Sequence, residues 1–283
     1  MLTLFTTKDI AEYYNTTQIH YEKWWNLKDG MSLHYGIWEP GVKNFTEAVH
    51  NTNRVLMELA DIKSTDKVLD AGCGVGGAAV FIAKNKKAKV TGITLSEKQV
   101  AYAKHAAKER NLETFINFDL QDYNKTNFKE EQFDVVWACE SVSSARDKSL
   151  FIAEAFRVLK KGGRLIMSDC FLGADDQKDP ESFVKKWGAT WGVSSLVTAK
   201  WFANELSLKG FTNVKTKDYS KQITKSAKRM YYAYLAGTLP SITYNLLHPN
   251  VSRFAKDHYK CGLYQWKAFK KDLWTYHVIC AIK

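Results

Sequence analysis

A carboxylate followed by closely spaced glycines is the most informative group of residues in this chain. Asp70 lies near the end of a short apolar run, and it is followed by Gly72, Gly74, Gly76 and Gly77. Glycines let the backbone turn sharply and approach a ligand with no Cβ in the way. An apolar, helix-like run comes next, and the first turn of a helix presents unpaired N–H groups. The pattern predicts a strand, a glycine turn and a helix that bind a nucleotide.

Two nucleotide ligands fit this turn. Gly72-x-Gly74-x-x-Gly77 satisfies the dinucleotide fingerprint, which expects an acidic residue about 20 positions later, at the tip of the second strand. The second predicted strand, Ala88–Thr94, ends without one. Asp70 before the glycines instead favours a ligand with a cationic amino group and no pyrophosphate, such as S-adenosylmethionine. A plain glycine-rich turn is the remaining alternative.

Strands and helices alternate over the central part of the chain. The predicted strands are Lys67–Ala71, Ala88–Thr94, Thr114–Asp119, Phe133–Cys139, Gly163–Cys170, Phe211–Tyr219 and Leu273–Ile282. The predicted helices are Gly76–Asn85, Glu97–Arg110, Asp147–Leu159 and Thr198–Lys209. Alternation of this kind is typical of an α/β fold with a doubly wound parallel sheet, and ligands bind at the carboxyl ends of its strands. We therefore expect a Rossmann-like sheet of seven strands.

Two segments lie outside this alternating core. Residues 1–45 are rich in aromatic side chains, and we interpret them as an N-terminal helical lid. Residues 46–283 are expected to form one catalytic domain, with residues 221–271 as a helical insertion that caps the substrate before the last strand. Ten basic and two acidic residues lie between positions 221 and 272, and the whole chain has a net charge of +11. Such a surface attracts acidic substrates, anionic membranes or nucleic acids, although a solvated surface is the simpler interpretation.

The composition points to a globular protein of a reducing compartment. Hydrophobic residues make up 45% and charged residues 25% of the chain. No apolar run approaches the roughly 20 residues of a membrane helix, and we expect no signal peptide. The five cysteines are widely spaced without a CxxC pair, so we predict neither a disulfide framework nor a metal site. We expect a cytoplasmic location, because the cytoplasm keeps thiols reduced.

Several motifs resemble those of a known enzyme family. The segment Lys67–Lys84 is similar to the first motif of class I S-adenosylmethionine-dependent methyltransferases. VTGITLSEKQVAYA, from Val90, resembles the second-strand motif of γ-tocopherol methyltransferases, sterol side-chain methyltransferases and cyclopropane fatty acid synthases. FDVVWACES from Phe133 and FIAEAFRVLKKGGRLIMSD from Phe151 are similar to their fourth and fifth strands. The N-terminal YYN…WW…LHYGIWEPG resembles their lid.

The resemblance implies a cofactor site for S-adenosylmethionine. It assigns the methionine portion to Asp70, Gly72, Gly74 and Gly76, and the ribose to Thr94, Leu95 and Gln99. It assigns the adenine amino group to Asp122 with Tyr123 beside it. The other candidates for cofactor contact are Tyr14, which precedes Asn15 where family lids usually have aspartate, and Cys139. A carboxylate just after a strand suits an exocyclic amine, and a turn cap is the alternative for Asp122.

The catalytic group is less clearly indicated. Relatives often have Glu-Ser-x-x-His after the fourth strand, whereas this chain has Glu140-Ser-Val-Ser-Ser144. Glu140 and His34 are therefore the candidate bases, with cofactor positioning and packing as their respective alternatives. Methyl transfer depends mainly on positioning and on exclusion of water. The candidates for an aromatic substrate wall are Trp24, Trp25, Tyr35, Trp38, Trp187, Trp191 and Tyr231, and core packing is the alternative for each.

The sequence thus predicts a methyltransferase that modifies a small, lipophilic molecule at carbon, nitrogen or oxygen. One alternative is a nucleic-acid methyltransferase that uses the basic insertion. Such enzymes usually have an Asn- or Asp-Pro-Pro-aromatic motif where this chain has Ala138–Ser141, so we expect no nucleic acid partner. A cofactor-binding protein without catalysis is the other alternative. Peripheral membrane contact fits the basic insertion, and the oligomeric state, a dimer included, is left open.

Overall fold

The computed structural model describes residues 5–24 and 30–283. Seven strands form one sheet in the described residues: β1 (Lys67–Ala71), β2 (Lys89–Thr94), β3 (Ile116–Leu120), β4 (Phe133–Cys139), β5 (Leu159–Leu172), β6 (Thr212–Asp218) and β7 (Trp274–Ile282). The α-helices of five or more residues there are α1 (Thr7–Trp24), α2 (Phe45–Leu59), α3 (Gly77–Lys86), α4 (Glu97–Glu109), α5 (Lys148–Val158), α6 (Phe183–Trp191), α7 (Ala199–Lys209), α8 (Ser220–Leu247), α9 (Arg253–Asp257) and α10 (Cys261–Phe269).

The sheet has the strand order β3-β2-β1-β4-β5-β7-β6. Strands β1 to β5 pair in parallel, as the alternation predicts, whereas β7 runs antiparallel to both β5 and β6. The alternation from Lys67 to Cys170 predicts this parallel arrangement for the first five strands only, and it makes no prediction for the direction of the last strand. Its reversal follows from the connection: α8 begins where β6 ends, and the Tyr276 N–H at the start of β7 donates to the Ser220 hydroxyl oxygen. Because the chain returns to the sheet at the end where β6 leaves it, β7 runs in the opposite direction to β6.

Alternating side chains of the central strands supply two apolar layers. Val68 and Trp137 belong to the layer that packs with α2, α3 and α10, whereas Leu69 and Val136 belong to the layer under α5 and α7. This follows from the two-residue period of a strand. Burial on both faces fixes the strand register, and the register holds the carboxyl ends of β1, β2 and β4 together at one edge.

The segment between β6 and β7 is helical, which confirms the predicted insertion. Its main element, α8, continues through Pro240 for 28 residues. It packs closely on α10, because Gly262 has no side chain and a Cβ there would lie 2.2 Å from the Met230 carbonyl oxygen. Gln265 of α10 secures the contact, since its side-chain Nε2 donates to the Ala227 carbonyl oxygen at 2.8 Å. Within the described residues, no helix is long and apolar enough to cross a bilayer.

Candidate functional site

A cleft lies at the carboxyl ends of β1, β2 and β4, with residues 31–34 on its other side. Its cavity volume is about 90 Å³. The sequence-predicted residues that line it are Tyr14, His34, Asp70, Gly72, Gly74, Thr94, Leu95, Gln99, Tyr123, Cys139, Glu140 and Trp191. It also contains Met31, Ser32 and Leu33, which the sequence analysis did not single out. Topology therefore gathers most of the predicted cofactor and base residues at one place.

The glycines of the turn have different structural tasks. Gly74 has φ +51°, and a Cβ on it would meet only Leu33 Cδ1 at 3.7 Å and Gln99 Nε2 at 3.9 Å. Gly76 has φ +84° and precedes α3, and a Cβ on it would lie 2.6 Å from the Phe118 ring. Gly76 is thus required by packing and does not line the cleft. Gly74 faces the open space in which a ligand would lie.

Asp70 presents an unpaired carboxylate oxygen at the cleft. The residue is only 2% exposed, and its Oδ2 has no hydrogen-bond partner. Burial raises the pKa of Asp70 to about 7, and a backbone hydrogen bond from Ala79 in the first turn of α3 opposes this rise. A buried acceptor without a donor is costly, and a ligand ammonium group would remove that cost. The residue therefore fits the amino group of an amino-acid ligand.

The end of β2 is fixed by a short network. The Thr94 hydroxyl donates to the Gln99 side-chain Oε1 at 2.6 Å, and the Ser96 side chain accepts from the Gln99 backbone N–H as the N-cap of α4. The Ser96 hydroxyl also donates to Asn15 Oδ1 at 2.6 Å, which ties α1 to α4. Beside it, the buried Tyr14 hydroxyl contacts Ser144 and has a raised pKa because of desolvation. The network holds the Gln99 amide next to Gly74.

Asp122 and Tyr123 follow β3, but only Tyr123 reaches the cleft. Asp122 Oδ1 accepts from the Asn124 backbone N–H at 2.8 Å, which is the turn-capping role considered above. Asp122 also borders a neighbouring cavity of about 180 Å³ with Leu95 and Tyr123. The Tyr123 hydroxyl donates to the Ser141 carbonyl oxygen at 2.8 Å, so its ring is fixed between the two spaces. An adenine contact by Asp122 stays a prediction.

Glu140 lies at the carboxyl end of β4 in a constrained conformation. Its φ is +48°, which L residues rarely adopt. Its Oε1 accepts from the Tyr35 backbone N–H at 2.7 Å and the Tyr276 hydroxyl at 2.8 Å, while Oε2 is buried without a partner. Desolvation raises the pKa of Glu140 well above its ordinary value, although both hydrogen bonds oppose the rise. The free oxygen is available to accept a proton.

His34 also lines the cleft, next to Tyr35 in the chain. The residue is 7% exposed, its Nδ1 lies 3.0 Å from the Tyr35 carbonyl oxygen, and its Nε2 has no hydrogen-bond partner. Because the carbonyl oxygen only accepts, Nδ1 carries the proton and Nε2 is the acceptor. Burial lowers the pKa of His34 to about 4. The imidazole is therefore neutral near pH 7 and is a weaker base than Glu140.

Comparison with known proteins identifies the family. A family model described as a methyltransferase domain matches residues 62–231. The chain belongs to this methyltransferase family. The match includes the glycine turn, the end of β2 and Glu140, all of which line the cleft.

Curated relatives resemble this chain over part of their length. The 27-O-demethylrifamycin SV methyltransferase of Amycolatopsis mediterranei is 35% identical over 50% of this chain and 53% of its own. The 24-methylenesterol C-methyltransferase 3 of Arabidopsis thaliana is 32% identical over 76% of this chain and 60% of its own. The chain thus spans between half and two thirds of these relatives.

A solved structure confirms the fold. The cyclopropane synthase MmaA2 from Mycobacterium tuberculosis superimposes with a TM-score of 0.84 at 15% identity, and the match covers 99% of both chains. The class I methyltransferase fold, expected from the motifs, is therefore the fold of this chain. The resemblance to sterol methyltransferases and cyclopropane synthases is confirmed as well.

A second cavity of about 380 Å³ adjoins the cleft. The two spaces share Ser143, Trp191 and Val193 in their walls. Trp187 lines the second cavity, stacks on Trp191 with ring centroids 5.2 Å apart, and has a buried indole N–H without a partner. Leu172 and Leu196 supply apolar surface there. The cavity lies within the size range of small-molecule sites.

The remaining aromatic candidates lie elsewhere. Tyr35 is 1% exposed and packs against Trp191, with its hydroxyl donating to Gln265 Oε1 at 3.3 Å. Trp38 donates its indole N–H to the Ser226 hydroxyl oxygen at 3.0 Å, and Tyr231 stacks on Trp266. None of these three lines the cleft or the second cavity. Trp25 and the side chain of Trp24 lie outside the described residues. The described side chains of residues 221–271 also line neither space, and Gln222 and Ser226 of this segment contact residues 36 and 38 instead.

Two buried charged residues near the cleft, Lys148 and Asp169, were not predicted from the sequence. Lys148 Nζ donates to the carbonyl oxygens of Ser143, Ala145 and Ser195, and burial lowers its pKa to about 8. Asp169 Oδ2 accepts from the Ser143 backbone N–H at 2.8 Å, and burial raises its pKa to about 6. Together they hold the segment after Glu140 that lacks the histidine of relatives. A lysine in the first turn of a helix gives no sequence sign of burial.

Proposed function

We propose that this chain is an S-adenosylmethionine-dependent methyltransferase acting on a small, lipophilic acceptor. The observation that carries the proposal is the buried Asp70 carboxylate beside Gly74, whose Oδ2 has no hydrogen-bond partner, in a chain of the methyltransferase family. Bound S-adenosylmethionine supplies a methyl group that its sulfonium has already activated. In this proposal Asp70 holds the amino group, Gly74 leaves room for the amino-acid portion, and the Thr94–Gln99 pair holds the ribose.

We propose Glu140 as the group that accepts or orients the acceptor's proton. Its Oε2 is free and buried, and its raised pKa makes the ionised carboxylate a stronger base than an exposed one. The hydrogen bonds to Oε1 fix the orientation of the carboxylate toward the cleft. An acceptor that needs no base would use the same oxygen for positioning.

The second cavity is the proposed chamber for the acceptor. Its lining is mainly apolar, although Asp175, Asp179 and Lys185 also lie at its wall, and this suits a largely lipophilic molecule. The free Trp187 indole N–H suits one hydrogen-bond acceptor on that molecule. Trp191 and Ser143 separate it from the cleft, so a molecule there lies close to the cofactor site. Residues 1–45 act as the lid over the cleft in this proposal. Residues 221–271, proposed as the substrate cap, act by holding the lid and contribute a basic face for peripheral membrane contact.

Transfer of label from S-adenosylmethionine tests the proposed function. The purified protein is incubated with methyl-labelled donor and a lipid extract, and the organic phase is analysed for labelled product. We expect label to appear with the wild-type protein and to fall by about 10² to 10⁴ with Glu140→Gln, the usual size of a lost acid–base group. Binding of S-adenosylhomocysteine without any labelled product would support the non-catalytic alternative and overturn the proposal.

A further inference from the structure

One face of α8 carries an uncovered row of residues at helical spacing. We call it the outer stripe, and its members are Lys221, Lys225, Lys228, Tyr232, Leu235, Leu239, Ile242 and Leu246. The spacing alternates between four and three residues, which places all eight on one side of the helix. Every member is exposed, and the apolar ones reach 68% exposure at Leu239 and 79% at Leu246. The basic third and the apolar two thirds therefore form one continuous surface.

The opposite face of α8 is already in use. Ile223, Ala227 and Met230 are buried, and they lie half a turn away from the outer stripe. The contact with α10 described above covers this inner face. Within the described residues, Lys225 Nζ lies over the Trp38 ring and Lys228 Nζ over the Tyr232 ring, whereas the three leucines and Ile242 of the outer stripe are exposed. Contiguous exposed apolar surface of this kind marks an interaction site more often than plain surface.

We propose that the outer stripe docks on the surface of an anionic phospholipid bilayer. The leucines and Ile242 would enter the boundary between headgroups and acyl chains, and the three lysines would contact lipid phosphates. The chemistry of the segment supports this occupant: residues 219–256 contain six lysines and arginines and no aspartate or glutamate. The inference makes specific the peripheral membrane contact proposed above, and it does not depend on methyl transfer.

Pairing with a second copy fits the outer stripe less well. Two parallel copies would bring Lys221, Lys225 and Lys228 against the same residues of the other helix. Two fully overlapping antiparallel copies would place these lysines against leucines. Neither arrangement offers a negative group within residues 219–256, whereas an anionic bilayer supplies phosphates and apolar depth together.

The position of the stripe also relates it to the cleft. Next to the lysines, Ser226 Oγ accepts from the Gly36 backbone N–H at 3.1 Å, and the Gln222 carbonyl oxygen accepts from the Trp38 backbone N–H at 3.0 Å. Residues 31–34, just before this contact, line the cleft. A bilayer bound at the outer stripe would therefore lie behind the lid segment, in a position to supply a lipophilic acceptor.

Flotation of the full chain with lipid vesicles tests the proposal. We expect at least tenfold tighter binding to vesicles of 70% phosphatidylcholine and 30% phosphatidylserine than to phosphatidylcholine alone, and weaker binding at high salt. Leu239→Glu with Leu246→Glu should weaken binding at least tenfold. Leu208→Glu is the matched control, because Leu208 is 80% exposed on α7, away from the stripe. Unchanged melting temperatures establish that the variants are folded.

Substitution of two lysines of the outer stripe, compared with two lysines elsewhere, completes the test. Lys221→Gln with Lys228→Gln should weaken binding about tenfold and reduce its salt dependence, whereas the exposed pair Lys104→Gln with Lys108→Gln on α4 should change it less than twofold. Absence of wild-type binding, or equal loss in the Leu208 control, would overturn the proposal. A wild-type dimer in sedimentation that the Leu239 variant dissociates, without vesicle binding, would assign the stripe to a second copy. Because no turnover is measured, failure of the proposed methyl transfer gives a separate result.

Discussion

The Tyr276 hydroxyl donates a hydrogen bond to Glu140 Oε1 at 2.8 Å, across from the antiparallel strand β7 to the end of β4. The Tyr35 backbone N–H donates to the same oxygen. Both donors stabilise the ionised carboxylate, and they leave Oε2 as the oxygen without a partner. The last strand and the lid therefore meet at the one side chain that we propose as the base.

Replacement of Tyr276 by phenylalanine should alter the pH dependence of methyl transfer. The hydroxyl lowers the pKa of Glu140, so its removal raises that pKa further. A base must be ionised, and the acidic limb of the kcat/KM profile should move to higher pH, with about a tenfold loss of rate on that limb for each unit of pKa shift. Tyr244→Phe, at an exposed tyrosine of α8 outside the outer stripe, is the control. An unmoved profile would show that Glu140 does not set the limb.

Replacement of Asp70 by asparagine should leave the protein at least as stable as the wild type. Burial raises the pKa of Asp70 from 3.8 to about 7 in the folded chain, so folding favours its protonated form. The wild type consequently loses free energy of unfolding as pH rises from about 4 to about 7. Asparagine has no such charge, so melting temperatures should agree near pH 4 and favour the variant at pH 8. A variant that melts lower at pH 8 would contradict the assigned pKa.

Single alanine substitutions should separate the two tasks of the glycine turn. Gly74→Ala keeps its neighbours at ordinary contact distances, so we expect a folded protein with weakened cofactor binding. Gly76→Ala places Cβ against Phe118, so we expect a loss of 1 to 3 kcal/mol in the free energy of unfolding, of the order seen for overpacking. Both glycines have a positive φ, so the backbone strain that alanine introduces is similar in the two variants. Thermal melts and calorimetry together distinguish the two outcomes, and equal effects on both would refute the division.

Much of the sheet could be predicted from sequence, because buried parallel strands are short apolar runs between glycines and helices. The prediction of Phe133–Cys139 agrees with β4 in both ends. Strand β5 is longer than the predicted Gly163–Cys170, since its start pairs with Phe133 before the Gly162–Gly163 irregularity. The direction of β7 could not be predicted, because the direction of a strand depends on the end of the sheet to which the preceding helices return the chain. It does not depend on the residues of the strand itself.

The residues of the site could be predicted where they lie close together in the sequence. Asp70 and Gly74 belong to a single turn, so their proximity follows from the sequence directly. The number of aromatic residues in a segment, in contrast, does not show which way each side chain points. Tyr35 and Trp187 are both deeply buried, but Trp187 lines the second cavity, whereas Tyr35 lines neither that cavity nor the cleft. The contact of Glu140 with Tyr276 joins residues 136 positions apart, and no local pattern contains it.

Cofactor binding should slow amide exchange in the lid. Residues 31–34 line the cleft, and Asn15 Oδ1 of α1 accepts from the Ser96 hydroxyl, which belongs to the network with Thr94 and Gln99 at the end of β2. A ligand in the cleft would stabilise both segments in the closed arrangement. We expect slower exchange in residues 7–16 and 31–38 on addition of S-adenosylhomocysteine, measured by mass spectrometry on the timescale of minutes to hours. The helix α7 serves as the reference, since it lies away from the cleft. Equal change in α7 and the lid would argue against local closure.

The central claim is that the cleft binds S-adenosylmethionine through Asp70, and titration calorimetry with S-adenosylhomocysteine tests it most directly. We predict one site per chain with micromolar affinity, about −8 kcal/mol, and no binding of NAD. Because the ammonium group needs the ionised carboxylate, affinity should fall about tenfold per pH unit below the Asp70 pKa of about 7. Asp70→Asn should show weak binding that lacks this dependence. Tight binding of NAD, or wild-type affinity in the variant, would contradict the account.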